Sequence, residues 1–140
     1  MENQEVAERA AAAMERADAA AREAGVRLLD VAPGRARVAL VVEERHLNGH
    51  GICHGGYVFL LADAAFAYAC NSHGVSTVAS GGDITFLRPG ALGDELVAEG
   101  VERALSGRSG LYDVTVRAGE RVVAEFRGRS RQVPGLLAPT

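Results

Sequence analysis

The segment YVFLLADAAFAYACNS, residues 57–72, constrains the fold more than any other, because it is apolar on every face of a helix. Its one charged side chain is Asp63. A helix that is apolar all round has to be buried all round. In a chain of 140 residues, only a sheet that curls around the helix can supply that cover. We therefore expect a long central helix, with Gly74 close behind its C-terminal end.

Segments of strand character lie on both sides of this helix. Two short ones precede it, joined by a turn at Pro33 and Gly34, and four longer ones follow with short glycine-containing turns between them. The six segments cover residues 26–31, 35–42, 78–87, 95–105, 111–118 and 121–133. Short connections between long strands predict that the last four segments form an antiparallel meander. The sequence therefore predicts an α+β fold, with one antiparallel sheet wrapped around one buried helix.

The first part of the chain, residues 5–24, is rich in alanine and in charged side chains, some of them spaced for ion pairs on a helix. Gly25 follows at the position where a helix commonly ends. We expect one peripheral N-terminal helix here. The length of the chain suits a single domain that spans residues 1–140.

Composition excludes several classes of function. The net charge is −3, and all fifteen cationic residues are arginines. Without lysine the chain cannot be a P-loop NTPase or a Schiff-base enzyme, and without a positive field we expect no nucleic-acid partner. No apolar run approaches the roughly 20 residues that span a bilayer, and the N-terminus lacks the apolar run of a signal peptide. Two cysteines make no disulfide framework, so we expect a cytoplasmic protein with no membrane partner.

The glycine-rich loop of residues 46–56 lies directly before the central helix and contains candidate catalytic residues. Gly55 and Gly56 begin the helix, where main-chain N–H groups lack helical partners and the positive end of the helix dipole lies. Such amides form an oxyanion hole for a carbonyl that gains negative charge, or simply a tight turn into the helix. Asn48 and His54 flank them, and either would orient water or a carbonyl, or else stabilise the loop.

Asp63 is a further candidate for a catalytic residue. A carboxylate in an apolar helix is costly to bury unless it is paired or functional, and the alternative is a hydrogen-bonded aspartate at an exposed notch or an oligomer seam. Gly55 and Asp63 are eight residues apart, which along one helix is about 12 Å. That distance is too long for both to act on one carbonyl. If both residues are catalytic, Asp63 has to reach Gly55 of a second chain across a two-fold axis.

Two further patterns carry weaker signals. Cys53 precedes a helix N-terminus, which favours a thiolate, but a half-buried loop cysteine is the simpler interpretation. His46, His50 and His54 are spaced like the ligands on a metal-binding helix face. The glycines between them disfavour the helix that would align the three side chains, so we expect no metal site.

The stretch HLNGHGICHGGYVFLLADAAFAYACNSHG, residues 46–74, resembles the hotdog-fold acyl-CoA thioesterases, in particular the PaaI branch that is associated with phenylacetic acid degradation. The similarity continues through ITFLRPG at residues 84–90, Gly-Asp at 93–94 and VVAEFRGRS at 122–130. The order of the elements agrees as well. The resemblance therefore covers nearly the whole chain after about residue 20.

This resemblance implies that Asn48, His54, Gly55 and Asp63 are the catalytic residues of a thioester hydrolase. The Gly55 amide would polarise the thioester carbonyl, and Asp63 would act as a general base on water or as the nucleophile. Ser80 is the nearest match to a serine or threonine that many relatives carry on the strand after the helix. The resemblance also implies a homotetramer of two dimers, with active sites at the dimer interface and the pantetheine arm between subunits.

We expect the substrate to be an aryl-acetyl-CoA with ring hydroxyls, and we expect no metal or cofactor, because water, one carboxylate and one oxyanion site suffice. Phe66 is available from the helix to line an acyl pocket, and Gly56 to offer a second amide. Arg88 and Arg108, at strand ends or turns, suit phosphate groups, although a solvated sheet edge explains each of them too. The alternative function is a non-catalytic module that binds acyl-CoA in the same groove and senses it.

Overall fold

The computed structural model describes residues 2–135. The helices in this part of the chain are α1 (Asn3–Ala17), α2 (Ala19–Ala24) and α3 (Gly55–Asn71). The strands are β1 (Arg27–Ala32), β2 (Arg35–Val41), β3 (Thr77–Phe86), β4 (Glu95–Ser106), β5 (Ser109–Ala118) and β6 (Arg121–Gln132). Among these residues no helix combines the length and the hydrophobicity that crossing a membrane requires.

The six strands form one antiparallel sheet in the order β1-β2-β4-β5-β6-β3. Strands β4, β5 and β6 follow one another as a meander, whereas β3 lies beyond β6 at the edge of the sheet. The predicted meander of four strands is therefore wrong at β3, because β4 pairs with β2 instead. Within the described residues β3 therefore pairs on one side only, with β6. The predicted α+β architecture, an antiparallel sheet around a central helix, is confirmed.

Helix α3 packs against the sheet and contacts all six strands, as its apolar sequence requires. Ten of its seventeen residues are buried. Phe66 lies at the centre of this packing, with its ring centroid 5.5 Å from that of Tyr112 and 5.8 Å from that of Phe126. A Cβ at Gly128 would lie 2.9 Å from the Phe66 ring, so a residue without a side chain is needed where the helix approaches β6.

The N-terminal region departs from the single helix expected over residues 5–24. It forms α1 and α2, and the break falls at Asp18, whose carboxylate accepts a hydrogen bond from the Ala21 N–H at 3.0 Å. An aspartate at this position caps a new helix because its side chain competes with the main chain for the free N–H groups. Helix α2 ends at Gly25, as predicted. Helix α1 packs against both β1 and α3.

Candidate active site

A cleft of about 390 Å³ lies at the N-terminal end of α3, between the loop that precedes this helix and the segment that follows β3. Most of its walls are apolar side chains. The residues that line it are Asn48, Ile52, Cys53, Gly55, Val58, Phe86, Leu87, Arg88, Pro89, Gly90 and Val123. Three of the site residues predicted from the sequence, Asn48, Gly55 and Arg88, therefore meet in this cleft.

Asn48 stabilises the loop with one end of its side chain. Its Oδ1 accepts hydrogen bonds from the main-chain N–H groups of His50, at 2.9 Å, and Ile52, at 3.3 Å. Because both partners are donors, the network fixes which end of the amide is the oxygen. Within the described residues the Nδ2 group has no hydrogen-bond partner. Asn48 therefore supports the loop, and it lines the cleft with its Nδ2 donor unpartnered in the described residues.

His54 caps α3. Its Nδ1 accepts a hydrogen bond from the Gly56 N–H at 3.0 Å, while its carbonyl accepts from the N–H groups of Tyr57 and Val58. The Gly56 amide is thus occupied, and the expectation that Gly56 offers a second amide to a ligand is wrong. The Gly55 N–H has no partner in residues 2–135, and Gly55 is one of the residues that line the cleft. The helix therefore presents one free amide, from Gly55, at the positive end of its dipole.

The ring of His46 is fully buried and has a structural role. Its Nδ1 accepts from the Glu43 N–H at 2.9 Å, so the proton of the neutral ring is on Nε2, which donates to the Ala24 carbonyl at 2.7 Å. The ring also meets Tyr57 edge-on, with 4.7 Å between the ring centroids. In residues 2–135, no three histidine, cysteine, aspartate or glutamate side chains are arranged to hold a metal ion.

Asp63 lies about two turns further along α3, half-buried, and it does not line the cleft of its own chain. Its carboxylate has no hydrogen bond or ion pair within the described part of the chain. Burial raises the pKa of the Asp63 carboxyl, and the negative charge of Asp18 raises that pKa further. A carboxylate that is poorly solvated and unpaired is a stronger base than one at the surface.

Two other residues considered from the sequence belong to the apolar packing. Phe66 is 1% exposed and sits between α3 and the sheet, so the expectation that it lines an acyl pocket is wrong. A helix that is apolar all round does not reveal which of its faces borders a cleft. Cys53 is buried in the cleft wall, and this burial raises the pKa of its thiol, which disfavours the nucleophilic thiolate.

The remaining predicted residues are spread along the sheet. Arg88 lies at the cleft and donates one guanidinium N–H to the Val122 carbonyl at 3.0 Å. Ser80 lies at a bulge in β3, where its hydroxyl donates to the Arg129 carbonyl at 3.2 Å. It lines a separate cleft beside the β4–β5 hairpin. Arg108 is exposed in the turn of that hairpin. The structure of one chain thus places neither Ser80 nor Arg108 at the Gly55 cleft.

Phe86 is a cleft residue that the sequence interpretation missed. A Cβ built on Gly55 would lie 3.0 Å from Cζ of the Phe86 ring. The signal was available in the ITFLRPG stretch, because an aromatic residue two positions before Arg88 ends a strand next to a candidate site.

The fold and the site together define a class of protein: a hotdog domain with a free amide at the start of its central helix. Known proteins agree, since the profile of the thioesterase superfamily matches residues 50–125. The chain is 44% identical to the acyl-coenzyme A thioesterase PaaI of Escherichia coli over 126 residues, which are 89% of this chain and 90% of that protein.

Solved structures agree as well. The structure of E. coli PaaI matches with a TM-score of 0.93 and 42% identity, over 96% of this chain and 98% of that one. The structure of smu.793 from Streptococcus mutans, bound to acetyl CoA, matches with a TM-score of 0.75 and 27% identity, over 78% of this chain and 89% of that one. This chain belongs to the thioesterase superfamily, and the activity of that class is thioester hydrolysis. The resemblance seen in the sequence is confirmed.

Proposed function

We propose that this chain hydrolyses acyl-CoA thioesters whose acyl group is small and aromatic, with phenylacetyl-CoA and its ring-hydroxylated forms as the preferred substrates. The observation that carries the proposal is the unpartnered Gly55 N–H at an apolar cleft, with the Nδ2 donor of Asn48 in the same cleft. The similarity to an acyl-CoA thioesterase and to a protein bound to acetyl CoA supports CoA thioesters as the substrate class.

In the proposed reaction the thioester carbonyl accepts hydrogen bonds from Gly55 and Asn48. Asp63, whose raised pKa suits a general base, takes a proton from water while the water oxygen attacks the carbonyl carbon. The negative charge that develops on the carbonyl oxygen is stabilised by the Gly55 N–H and the helix dipole. The C–S bond then breaks, and the CoA thiolate takes the proton from Asp63. This reaction needs no metal or cofactor.

Direct attack by the Asp63 carboxylate is the other route, and it passes through an acyl-enzyme anhydride. One turnover in ¹⁸O-labelled water with enzyme in excess separates the two where water attacks the anhydride at the Asp63 carbon, and trapping with hydroxylamine detects an anhydride that is hydrolysed at the acyl carbon. A general base puts the label into the acid product and leaves the protein mass unchanged. Label in the Asp63 peptide would instead assign nucleophilic attack.

We propose further that each site is shared between two chains. Within one chain, Gly55 and Asp63 are about 12 Å apart along α3, and Asp63 does not line the cleft. The edge of β3 supports this arrangement: it is unpaired in the described residues, and Val78 on this strand is an exposed apolar residue. A long, open, partly apolar edge strand favours pairing with a second chain. Two β3 strands that pair across a two-fold axis would place Ser80 at the same interface.

Complementation tests the shared site. Asn48→Asp keeps the oxygen that holds the loop but removes the Nδ2 donor, and Asp63→Ala removes the base. Each homodimer should be nearly inactive. After the two variants are unfolded and refolded together, half of the dimers are mixed, with one intact site in each. Activity should recover to roughly a quarter of the wild-type value if chains pair at random. Mixed dimers that are verified by mass spectrometry and remain inactive would contradict the shared site.

The proposed assembly is a tetramer of two such dimers, with Arg88 and Arg108 available for the phosphates of CoA. Light scattering should give four chain masses. Arg88→Ala should raise KM for acyl-CoA several-fold but leave the hydrolysis of a short thioester without the nucleotide unchanged. An equal loss of activity on both thioesters would show that Arg88 does not bind the CoA phosphates.

A panel of aryl and aliphatic acyl-CoAs, assayed for thiol release, tests the function itself. We expect the highest kcat/KM for phenylacetyl-CoA and its hydroxylated forms. Tight binding without thiol release would instead identify a non-catalytic acyl-CoA sensor. The unpaired, half-buried Asp63 favours catalysis over sensing, because a binding site alone gives no reason to keep a carboxylate at that cost.

A further inference from the structure

The ring of Phe86 lies against the main chain of Gly55. A Cβ at Gly55 would lie 3.0 Å from Cζ of the ring and 3.4 Å from both Cε atoms. The tip of the ring therefore fills the space that a side chain at position 55 would take. Glycine is needed here for this close approach. Phe86 therefore lies beside the residue that carries the free amide.

Phe86 differs from the other phenylalanines of the chain in what surrounds it. Phe59, Phe66 and Phe126 form ring–ring contacts with one another. Phe86 has no ring–ring contact within the described residues, and it is 53% exposed although it lines an apolar cleft. One aromatic surface at the cleft is thus open for a further ring.

We propose that Phe86 selects the acyl group, by stacking with the ring of an aryl-acetyl thioester whose carbonyl is bound by the Gly55 N–H. In such a thioester one methylene separates the aryl ring from the carbonyl carbon. A substrate ring that stacks on Phe86 therefore keeps the carbonyl next to Gly55. Aromatic rings gain affinity from offset or edge-to-face contact beyond the burial of their area. The inference rests on the proposed function and adds the residue that distinguishes aryl from alkyl substrates.

The experiment compares phenylacetyl-CoA with hexanoyl-CoA, an apolar acyl group without a ring. Phe86→Leu keeps an apolar side chain at the cleft but removes the aromatic surface, and Phe86→Tyr keeps that surface. Leu92→Ala is the matched control, because Leu92 is an exposed apolar residue outside the cleft. Thermal unfolding by circular dichroism verifies that each variant is folded. Steady-state kcat and KM are measured for all four proteins with both thioesters.

Phe86→Leu should lower kcat/KM for phenylacetyl-CoA by about two- to tenfold, mainly through a higher KM, with a smaller change for hexanoyl-CoA. Phe86→Tyr and Leu92→Ala should keep the wild-type ratio between the two thioesters. A Phe86→Leu protein that loses activity equally on both thioesters, or on neither, overturns the inference while the proposed function stands. Wild-type protein that releases no thiol from either thioester overturns the proposed function, and the inference with it.

Discussion

The buried imidazole of His46 donates a hydrogen bond from Nε2 to the Ala24 carbonyl at 2.7 Å, which ties the end of α2 to the loop before α3. The same ring accepts from the Glu43 N–H, and the His46 carbonyl accepts from the His54 N–H at 2.7 Å. One buried residue thus fixes the positions of the N-terminal helices, the loop and the start of the central helix relative to one another. The free amide of Gly55 depends on this frame, because His54 fixes the first turn of α3.

His46→Phe should lower the free energy of unfolding by about 2 kcal/mol, since it leaves the Ala24 carbonyl and the Glu43 N–H without their partner while the ring volume stays similar. Urea denaturation followed by circular dichroism measures the loss. His50→Phe is the control, because His50 is an exposed residue of the same loop. Equal stability of the two variants would show that His46 does not hold the frame.

His54 should act on the reaction through the helix cap. His54→Ala removes the acceptor for the Gly56 N–H and should cost about 1 kcal/mol of stability, together with much of kcat, since the first turn loosens. His54→Asn supplies a side-chain oxygen that caps helices well, and we expect it to restore most of the activity. If both variants are equally inactive in the thiol-release assay, the imidazole has a chemical role and the cap is secondary.

The architecture could be predicted because the strongest patterns in the sequence, an apolar helix and turn residues, directly determine how the elements pack. A helix that is apolar all round leaves one arrangement, a sheet around it, and the turns mark the strand ends to within a few residues. The N-terminal helical region was predicted, but its division at Asp18 was missed. Alanine favours helix on both sides of Asp18, and only the folded chain shows the Asp18 side chain capping Ala21.

The site was less predictable than the fold. Gly55 and Gly56 look equivalent in sequence, and it is the orientation of the His54 ring that occupies the Gly56 amide and leaves Gly55 free. Phe66 and Phe86 are both apolar aromatics, yet the first is in the core and the second lines the cleft. Side-chain orientation and contacts with distant strands determine which amide is free and which aromatic ring lines the cleft. The local sequence pattern reveals neither of these features.

Asp63→Asn should lower kcat about a hundredfold or more, because an amide cannot take a proton from water, while acyl-CoA binding is kept. The same variant should be more stable than wild type at neutral pH. The pKa of Asp63 is raised in the folded state, so stability is lost as the pH rises through it, and the amide avoids this loss.

Urea denaturation at pH 7 and at a pH below the ordinary range of a carboxyl group measures this difference in stability, which should vanish in acid. Glu120→Gln is the control, since Glu120 is an exposed turn carboxylate. An Asp63→Asn protein that keeps most of its kcat would remove Asp63 as the base. One that is less stable at neutral pH would show that its ionised form is stabilised by the assembly.

Asp18→Asn should move the acid limb of the pH profile of kcat/KM to lower pH. The negative charge of Asp18 raises the pKa of Asp63, so its removal lowers that pKa and lets the base stay ionised in more acidic solution. Asparagine still caps α2, so the fold is kept. Glu23→Gln removes a charge from the same helix and should leave the limb in place. A limb that is unchanged by Asp18→Asn would mean that a group other than Asp63 controls it, and a limb that moves to higher pH would contradict the sign of the interaction.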